Sequence, residues 1–325
     1  MEFKRLSFKH GNNKFLYYLI NYFRQCLPNK YYQKKLNNKL KEVSTLEKEM
    51  VEKILFRVNY YNKLDLSNQI AKDAEKLAAL KLDNKNKTYF FDLHEYTRFF
   101  NQNLKLNYLF GDIVNIPKTP TIVKSRPISN TNANSIILNL NKIRHFIFIK
   151  TYRKDFSQKK NMLISRGKVH ASQLNRIKFL EQYFEHPLCN IGMVNLNNLN
   201  SKWKVNRMTI EEQLNYKFIL CLEGNDVATN LKWVMSSNSI AVMPKPKYET
   251  WFMEGLLIPD KHYICIKDDF SDLEKKLNYF IDYPNKATEI IQNANDFVSQ
   301  FKNKKLEDLV ALMVMNKYFQ KTNQI

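Results

Sequence analysis

The segment EGNDVATN (223–230) carries residue types that suit anion binding. It follows the apolar run FILCLE (218–223) and precedes residues with helical spacing and then a second apolar run, SIAVM (239–243). Strand, glycine turn, helix and strand form a βαβ unit, whose turn offers backbone N–H groups to an anion. The pattern predicts a pyrophosphate site made by Gly224, Asn225, Asp226, Val227, Ala228, Thr229, Asn230 and, one turn inside the helix, Lys232.

Gly224 is informative because the chain has only 6 glycines in 325 residues. A sequence so sparing with glycine is expected to place each one where no side chain is tolerated. We therefore expect the main chain at Gly224 to be approached closely by the diphosphate. The turn matches neither GxGxxG nor the Walker pattern, so an ordinary strand–helix turn capped by Asp226 or Thr229 stays open.

A second cationic strand end is the Arg-Gly-Lys sequence at 166–168, followed in the next helix by Arg176. The planar guanidinium of arginine suits phosphate oxygens, and these cations could neutralise a diphosphate leaving group. The alternative is a set of solvated surface cations. Two such turns in one sheet favour the anion site.

An aspartate directly after a glycine, Asp112, lies in the sequence near the basic residues Lys124 and Arg126. The structural interpretation is that Asp112 forms an ion pair with one of these cations. The functional interpretation is a general base that reaches into a cleft, with Lys124 and Arg126 as candidate contacts to an acceptor or a diphosphate.

Other chemistries have little support in the sequence. The chain has no Asp-x-Asp, GxSxG or HExxH pattern, and its four cysteines and six histidines show no metal-ligand spacing. We therefore expect no metal or other cofactor, no disulfide scaffold and a reducing compartment.

The elements that would position these residues alternate from about residue 160, with strands at 162–168, 189–195, 218–223, 239–243 and 263–266 separated by helices. This alternation predicts a doubly wound parallel sheet, which binds ligands at the carboxyl ends of its strands. We also predict a helix opened by a capping box at 44–47, helices at 64–80 and 248–256, a Thr209 cap, and C-terminal helices at about 271–282, 285–301 and 305–320.

The net charge of +21 favours an anionic partner, either nucleic acid, an acidic membrane surface or a nucleotide. The apolar run at 15–23 is too short to span a membrane and is flanked by Lys4, Arg5, Lys9 and Lys14 and then by further cations. It predicts either an interfacial anchor on an anionic leaflet or a core helix with a solvated basic flank. We expect neither a signal peptide nor a spanning segment.

In the order of its motifs, the segment CLEGNDVATNLKWVMSSNSIAVMPKPKYETWFMEGLLIPDKHYICIKDDFSDLEKKL (221–277) resembles the nucleotide-sugar half of glycosyltransferase family 90. The resemblance extends over roughly residues 90–300. It implies an α/β fold of the GT-B type, with two Rossmann-like domains facing a cleft, a helical N-terminal extension and C-terminal helices. It also implies metal-independent, inverting transfer from a nucleotide sugar.

Residue by residue, the resemblance implies Asp112 as the catalytic base and Arg176 as the arginine that contacts the donor diphosphate. Gly167 and Lys168 stand at the family's arginine-glycine-serine turn, with Lys168 replacing the serine, and 224–230 match the donor-binding turn. Animal members have an arginine just after that turn, where this chain has Asn230, Leu231 and then Lys232. Lys232 would supply the charge instead, but as a point charge it cannot bind bidentately.

From the residues and the resemblance together, we expect a glycosyltransferase that moves a glucose- or xylose-like sugar from a UDP-sugar to a lipopolysaccharide or lipooligosaccharide core acceptor. The expected place is the inner face of the cytoplasmic membrane, with peripheral contact to anionic lipid. The alternatives are a basic nucleic-acid-binding protein and an inactive membrane-surface scaffold. The expected segments are a basic helical region (1–88), an acceptor-side domain (89–160), a nucleotide-sugar-binding domain (161–304) and a C-terminal helix (305–325).

Overall fold

The computed structural model describes residues 10–65, 68–151, 154–196 and 199–325. These residues form two compact units. The first unit contains residues 10–12, Arg144–Lys247 and Gly255–Gln300, and the second contains Asn13–Ile143, Tyr248–Glu254 and Phe301–Ile325.

The α-helices of the described residues are α1 (Lys14–Gln25), α2 (Asn29–Gln33), α3 (Leu36–Lys41), α4 (Lys48–Tyr61), α5 (Lys87–Thr97), α6 (Lys142–His145), α7 (Leu174–Tyr183), α8 (Ile210–Gln213), α9 (Leu231–Met235), α10 (Leu273–Asp282), α11 (Pro284–Ser299) and α12 (Lys304–Lys321). The strands are β1 (Glu75–Lys76), β2 (Lys105–Leu106), β3 (Tyr108–Leu109), β4 (Thr121–Val123), β5 (Ser125–Pro127), β6 (Ser135–Ile137), β7 (Lys160–Gly167), β8 (Cys189–Met193), β9 (Tyr216–Leu220), β10 (Ile240–Met243), β11 (Tyr248–Thr250) and β12 (Ile264–Cys265).

The first unit is built on a five-stranded sheet with the order β12-β10-β9-β7-β8, and every pair in it is parallel. Its strands β9 and β10 are buried along their whole length, as expected for parallel strands covered on both faces. Leu163, Phe218 and Val242 are fully buried in its core. The predicted α/β class and the predicted parallel sheet are confirmed.

The order in which successive strands are added to this sheet reverses at one point. The connection from β7 to β8 runs towards one edge, whereas the connection from β9 to β10 runs towards the other. Because βαβ crossovers are right-handed, α7 and α9 are expected on opposite faces. The point of reversal lies between β7 and β9, where open α/β sheets bind ligands.

The second unit contains a three-stranded parallel sheet, β3-β4-β6, an antiparallel pair, β5-β11, and the helices α4, α5 and α12. A buried cluster joins α4, α12 and Trp251, the residue after β11. Arg57 of α4 donates to Glu307 of α12, which also accepts from the Trp251 indole at 2.6 Å, and Tyr61 stacks on Trp251 with ring centroids 3.9 Å apart.

Two predicted helices are wrong. Within 68–80 the structure has the short strand β1 and a 3-10 helix, Leu77–Ala79, because the N–H groups of Leu77 and Ala78 donate to the carbonyls of Leu104 and Gln102 instead of to their own chain segment. The segment 248–256 begins with a strand, β11, and ends with a 3-10 helix, Glu254–Leu256; Met253 between them has a φ of 55° that no helix accepts.

The predicted helix caps have mixed outcomes. The helix expected from 44–47 begins at Lys48 with Glu47 at its cap. Ser44 and Thr45 lie in a 3-10 helix, Glu42–Thr45, and their hydroxyls donate to the carbonyls of Lys41 and Glu42. At Thr209 the predicted cap is confirmed as a full capping box with Glu212. The three C-terminal helices are also confirmed.

Helix α1 contains the apolar run at 15–23, and the core-helix interpretation of that run is wrong. Asn21 is its one buried residue, whereas Phe15 is 76% exposed and Phe23 is 66% exposed. Of the flanking cations, Lys4, Arg5 and Lys9 lie outside the described residues. In the part of the chain that the structure describes, no helix is both long and apolar enough to cross a membrane.

Candidate functional site

A cavity of about 290 Å³ opens where β7 and β9 end, at the point of reversal in the sheet. The sequence predicted a site at these strand ends, and the geometry places five of the predicted residues around one cavity. The five are Gly167, Lys168, Arg176, Thr229 and Asn230. Ser165, Arg166, Val169, Gln213 and Trp233 also line it.

The Arg176 guanidinium bridges the two strand ends. It donates to the carbonyls of Lys168 at 2.8 Å, Leu222 at 2.9 Å and Glu223 at 3.2 Å. No carboxylate forms an ion pair with Arg176 in the described residues, and burial is the sole cause that lowers its pKa. Backbone carbonyls thus fix the guanidinium beside the cavity without neutralising its charge, which leaves a cation ready for an anionic ligand.

Gly224 lies against the side chains of Arg176 and Gln173. A Cβ at this position would lie 3.0 Å from Nη2 of Arg176 and 3.1 Å from Nε2 of Gln173. Gly224 is not among the residues that line the cavity. The glycine therefore makes room for the arginine, whereas Gly167 would place a Cβ 4.0 Å from Arg176 Nη1 and is not crowded.

The helix after Gly224 begins later than predicted. It begins at Leu231 rather than Ala228 and is five residues long, with no side-chain cap at Asn230. The Asn230 amide instead donates to the Leu220 carbonyl at 2.9 Å, which fixes the turn against β9. The pyrophosphate site expected at this turn stays a prediction, with the helix start at Leu231.

The remaining predicted residues of this turn lie away from the cavity lining. Val227 and Ala228 are buried in the core, Asp226 is buried, and Asn225 accepts a hydrogen bond from Gln173 at 3.2 Å. Lys232 is fully buried, and its charge partly offsets the burial that raises the pKa of Cys221. Lys232 is not among the residues that line the cavity.

Sequence reasoning missed Gln173 and Trp233. Gln173 accepts from the His170 N–H at 3.1 Å and donates to Asn225, so it connects the ends of β7 and β9 beside Arg176. The i, i+3 spacing of Gln173 and Arg176 at the start of α7 was the available signal. Trp233 supplies an aromatic wall to the cavity.

Arg166 also lines the cavity, but its side chain is engaged by the protein. It donates to the Asn190 carbonyl at 2.7 Å and to the Asn190 side-chain oxygen at 2.6 Å, and it reaches the Asn206 carbonyl at 3.1 Å. These bonds hold β7 to β8 and to the segment after β8. Of the two cavity arginines, Arg176 is the one whose guanidinium adjoins both Gly224 and the strand-end carbonyls.

Asp112 belongs to the second unit, in the loop before β4. Its carboxylate is partly exposed, with 36% of the side chain accessible, and it accepts from Lys124 Nζ at 2.5 Å. Lys124 is buried, so the ammonium fixes the direction of the carboxylate. The structure thus shows the ion pair that the sequence left open for Asp112, formed with Lys124, and the role of general base stays a prediction.

Arg126 is fully buried and is held by several partners. It donates to Glu249 at 2.7 Å and to the carbonyls of Tyr61, Ser135 and Tyr60 at 3.1, 2.9 and 2.6 Å. A substrate contact would require these bonds to break. The geometry therefore favours a structural role for Arg126 in joining β5 to β11 and α4.

Comparison with known proteins identifies the chain. The family model described as Glycosyl transferase family 90 matches residues 132–322. The O-glucosyltransferase LpsA of Dichelobacter nodosus is 39% identical over 307 residues, which is 94% of this chain and 95% of that protein. The chain belongs to glycosyltransferase family 90.

More distant similarity extends to viral proteins. Uncharacterized protein 179R of Invertebrate iridescent virus 6 is 34% identical over 131 residues, which is 38% of this chain and 11% of that protein. Uncharacterized protein 027R of Frog virus 3 is 37% identical over 76 residues, 22% of this chain and 8% of that protein.

Family membership makes this protein a glycosyltransferase, as the sequence predicted. The family match contains the whole cavity at the β7 and β9 ends but begins after Asp112. Among the described residues, no group of three or more His, Cys, Asp and Glu side chains is arranged to hold a metal ion.

Proposed function

We propose that this glycosyltransferase binds a UDP-sugar in the cavity at the β7 and β9 ends and transfers a glucose-like sugar, with xylose as the alternative. The observation that carries the proposal is the Arg176 guanidinium, fixed by three carbonyls and without a carboxylate partner in the described residues. The glucosyltransferase name of the relative from Dichelobacter nodosus supports glucose as the sugar.

The proposed reaction is a single displacement with inversion. An acceptor oxygen forms a bond to the anomeric carbon while the bond from that carbon to the diphosphate oxygen breaks, and UDP leaves with the bonding electrons. Negative charge therefore grows on the diphosphate. Arg176 would stabilise this charge as a preorganised donor. We propose that it does so without a metal ion.

We further propose that Asp112 accepts the proton of the acceptor hydroxyl. Lys124 holds the carboxylate in one direction at 2.5 Å, which suits a general base that must meet a hydroxyl with fixed geometry. Asp112→Asn keeps the shape of this side chain and removes its ability to take the proton. We expect transfer to fall by about 10²- to 10⁴-fold while UDP affinity is unchanged.

Calorimetric titration with UDP and GDP, each with and without EDTA, tests the donor site. We expect UDP to bind more tightly than GDP, and Arg176→Ala to weaken UDP about 10- to 100-fold, since a hydrogen bond to a charged group is lost. Arg207→Ala is the matched control, because Arg207 is an exposed arginine of the same unit. Equal UDP affinity of the two variants would remove the donor site from this cavity.

The stereochemistry and metal independence are tested on the transfer reaction itself. Proton NMR of the product from an α-linked UDP-sugar should show a β-linkage, and EDTA should leave the rate unchanged. An α-linked product would contradict the proposed single displacement, and a rate restored by added Mg²⁺ or Mn²⁺ would contradict metal independence.

The proposed acceptor is a phosphorylated lipopolysaccharide or lipooligosaccharide core, met at the inner face of the cytoplasmic membrane. The net charge of +21 supports an acceptor that carries phosphate and lies in an anionic membrane. Transfer to core oligosaccharide with its phosphates, compared with the dephosphorylated form, is the direct assay. Equal rates on both forms would contradict recognition through phosphate.

A further inference from the structure

Helix α1 has the inverse of the usual polarity of a surface helix. Its exposed side carries large apolar side chains, and its protein-facing side is polar. The exposed set, here called the α1 apolar face, is Phe15, Leu16, Leu19, Ile20, Tyr22 and Phe23. At ~100° per residue these six side chains fall within an arc of about 160° on the helix. They therefore form one continuous surface.

The opposite side of α1 is fixed to the protein by polar and aromatic contacts. Tyr17 donates to Asp92 at 2.9 Å, and Arg24 pairs with Glu95 at 2.7 Å. The Arg24 carbonyl accepts from Arg98 at 2.6 Å. Tyr17 and Tyr18 also pack edge-on against Phe91 of α5, and Tyr22, at the border of the α1 apolar face, contacts the same ring.

Charges on these groups support a firm attachment of α1. Burial would raise the pKa of Glu95, but the charges of Lys142, Lys304 and Arg24 outweigh it and lower the pKa to about 2. The Arg24–Glu95 pair is therefore charged at any physiological pH. The α1 apolar face is held in place before any partner arrives, and binding it costs little ordering entropy.

The charges around this helix identify the kind of partner. Residues 10–41 contain seven Lys and Arg and no Asp or Glu. Lys14, Lys30, Lys34, Lys35 and Lys41 are exposed. An apolar face beside exposed lysines is the arrangement of helices that lie in the interface of an anionic bilayer, with apolar side chains among the acyl chains and cations at the headgroups.

We propose that the α1 apolar face is the membrane-docking surface of this glycosyltransferase and that it inserts into the interface of an anionic lipid bilayer. The proposal adds the contacting surface to the proposed membrane location and does not depend on the donor site. A second copy of this chain is the other occupant that an apolar face could have, but the six lysines of residues 10–41 would repel those of the second copy across a two-fold contact.

Flotation with vesicles of phosphatidylcholine alone and of phosphatidylcholine with phosphatidylglycerol tests the proposal. The test protein is a double variant that carries Leu19→Glu and Phe23→Glu, both at exposed positions of α1. Ile258→Glu is the matched control, because Ile258 is an apolar residue of the other unit that is 49% exposed. We expect the wild type to prefer anionic vesicles, and the double variant to lose about a hundredfold in partitioning, roughly tenfold for each removed apolar side chain.

The control variant should bind vesicles like the wild type, and high salt should weaken binding because it screens the cations. Equal partitioning of wild type and double variant, or no vesicle binding by the wild type, would overturn the proposal. A doubled mass in light scattering that Leu19→Glu with Phe23→Glu abolishes would assign the face to a second copy instead. UDP affinity measured without vesicles on the same variants reports on the donor site separately.

Discussion

Substitution of Gly224 by alanine should weaken nucleotide binding through Arg176. The new Cβ would lie 3.0 Å from Arg176 Nη2, and ordinary contact begins at about 3.4 Å, so the guanidinium must retreat by about 0.4 Å. Nη2 donates to the Leu222 carbonyl at 2.9 Å, and this bond weakens or breaks as the group moves. A charged hydrogen bond is worth about 1.5–3 kcal/mol.

Partial loss of this bond predicts a decrease of about 1–2 kcal/mol in the free energy of unfolding and of UDP binding. In calorimetry this corresponds to a rise of about 5- to 30-fold in Kd. Gly167→Ala is the matched control at the neighbouring strand end, since its Cβ would lie 4.0 Å from Arg176 Nη1 and meets nothing closer. We expect this control to bind UDP like the wild type.

A double-mutant cycle separates this explanation from a direct approach of the diphosphate to the main chain at Gly224. If the glycine acts by making room for the arginine, Gly224→Ala should cost little in an Arg176→Ala background, and the two losses should not add. Additive losses would refute the steric argument and restore the explanation expected from the sequence. Unchanged UDP affinity of Gly224→Ala in the wild-type background would refute both.

Two further substitutions test the unit that carries the cavity. Burial lowers the pKa of Lys159 to about 7, so between pH 7 and about pH 10 the unfolded chain binds more protons than the folded chain and the free energy of unfolding rises with pH. Lys159→Met should raise the free energy of unfolding at pH 6 by about 2–4 kcal/mol and remove this rise with pH in urea unfolding, while the Ser239 hydroxyl keeps its bond to the Tyr216 carbonyl. A pH slope equal to that of the wild type would contradict this account. Gly192→Ala would place a Cβ 2.4 Å from Val205 Cγ2 and 2.9 Å from the Trp203 carbonyl oxygen, so we expect the free energy of unfolding to fall by about 1–3 kcal/mol and Tm to fall with it. Gly11→Ala is the control, because nothing lies within 4 Å of a Cβ at that position. Equal Tm values for the two variants would contradict the close packing at Gly192.

The parallel sheet could be predicted from the sequence because its strands are short apolar runs separated by helical spacing. Burial on both faces leaves that pattern in the sequence whatever the rest of the chain does. The helix expected at 64–80 had suitable spacing as well, but the N–H groups of Leu77 and Ala78 donate to residues more than twenty positions away. Propensity is a weak term, and long-range backbone bonds outweigh it.

The position of the candidate site could be predicted, but its internal arrangement could not. Gly167 and Gly224 mark the two strand ends correctly, since glycine is rare in this chain and topology brings strand ends together. Lys232 was expected to add charge one turn into the helix. The helix begins at Leu231, and Lys232 is fully buried, which no spacing in the sequence indicates.

The arrangement around Arg176 explains how the cavity can attract an anion in a sheet whose strand ends carry carbonyl groups. Carbonyls at the carboxyl ends of β7 and β9 would by themselves repel a phosphate. Arg176 donates hydrogen bonds to three nearby carbonyl oxygens, those of Lys168, Leu222 and Glu223. A carboxylate in their place would have cancelled the charge, whereas neutral dipoles leave it intact at the cavity wall. The guanidinium also approaches Gly224, where a Cβ would lie 3.0 Å from Nη2, so a glycine at 224 leaves the arginine in this position without a close contact.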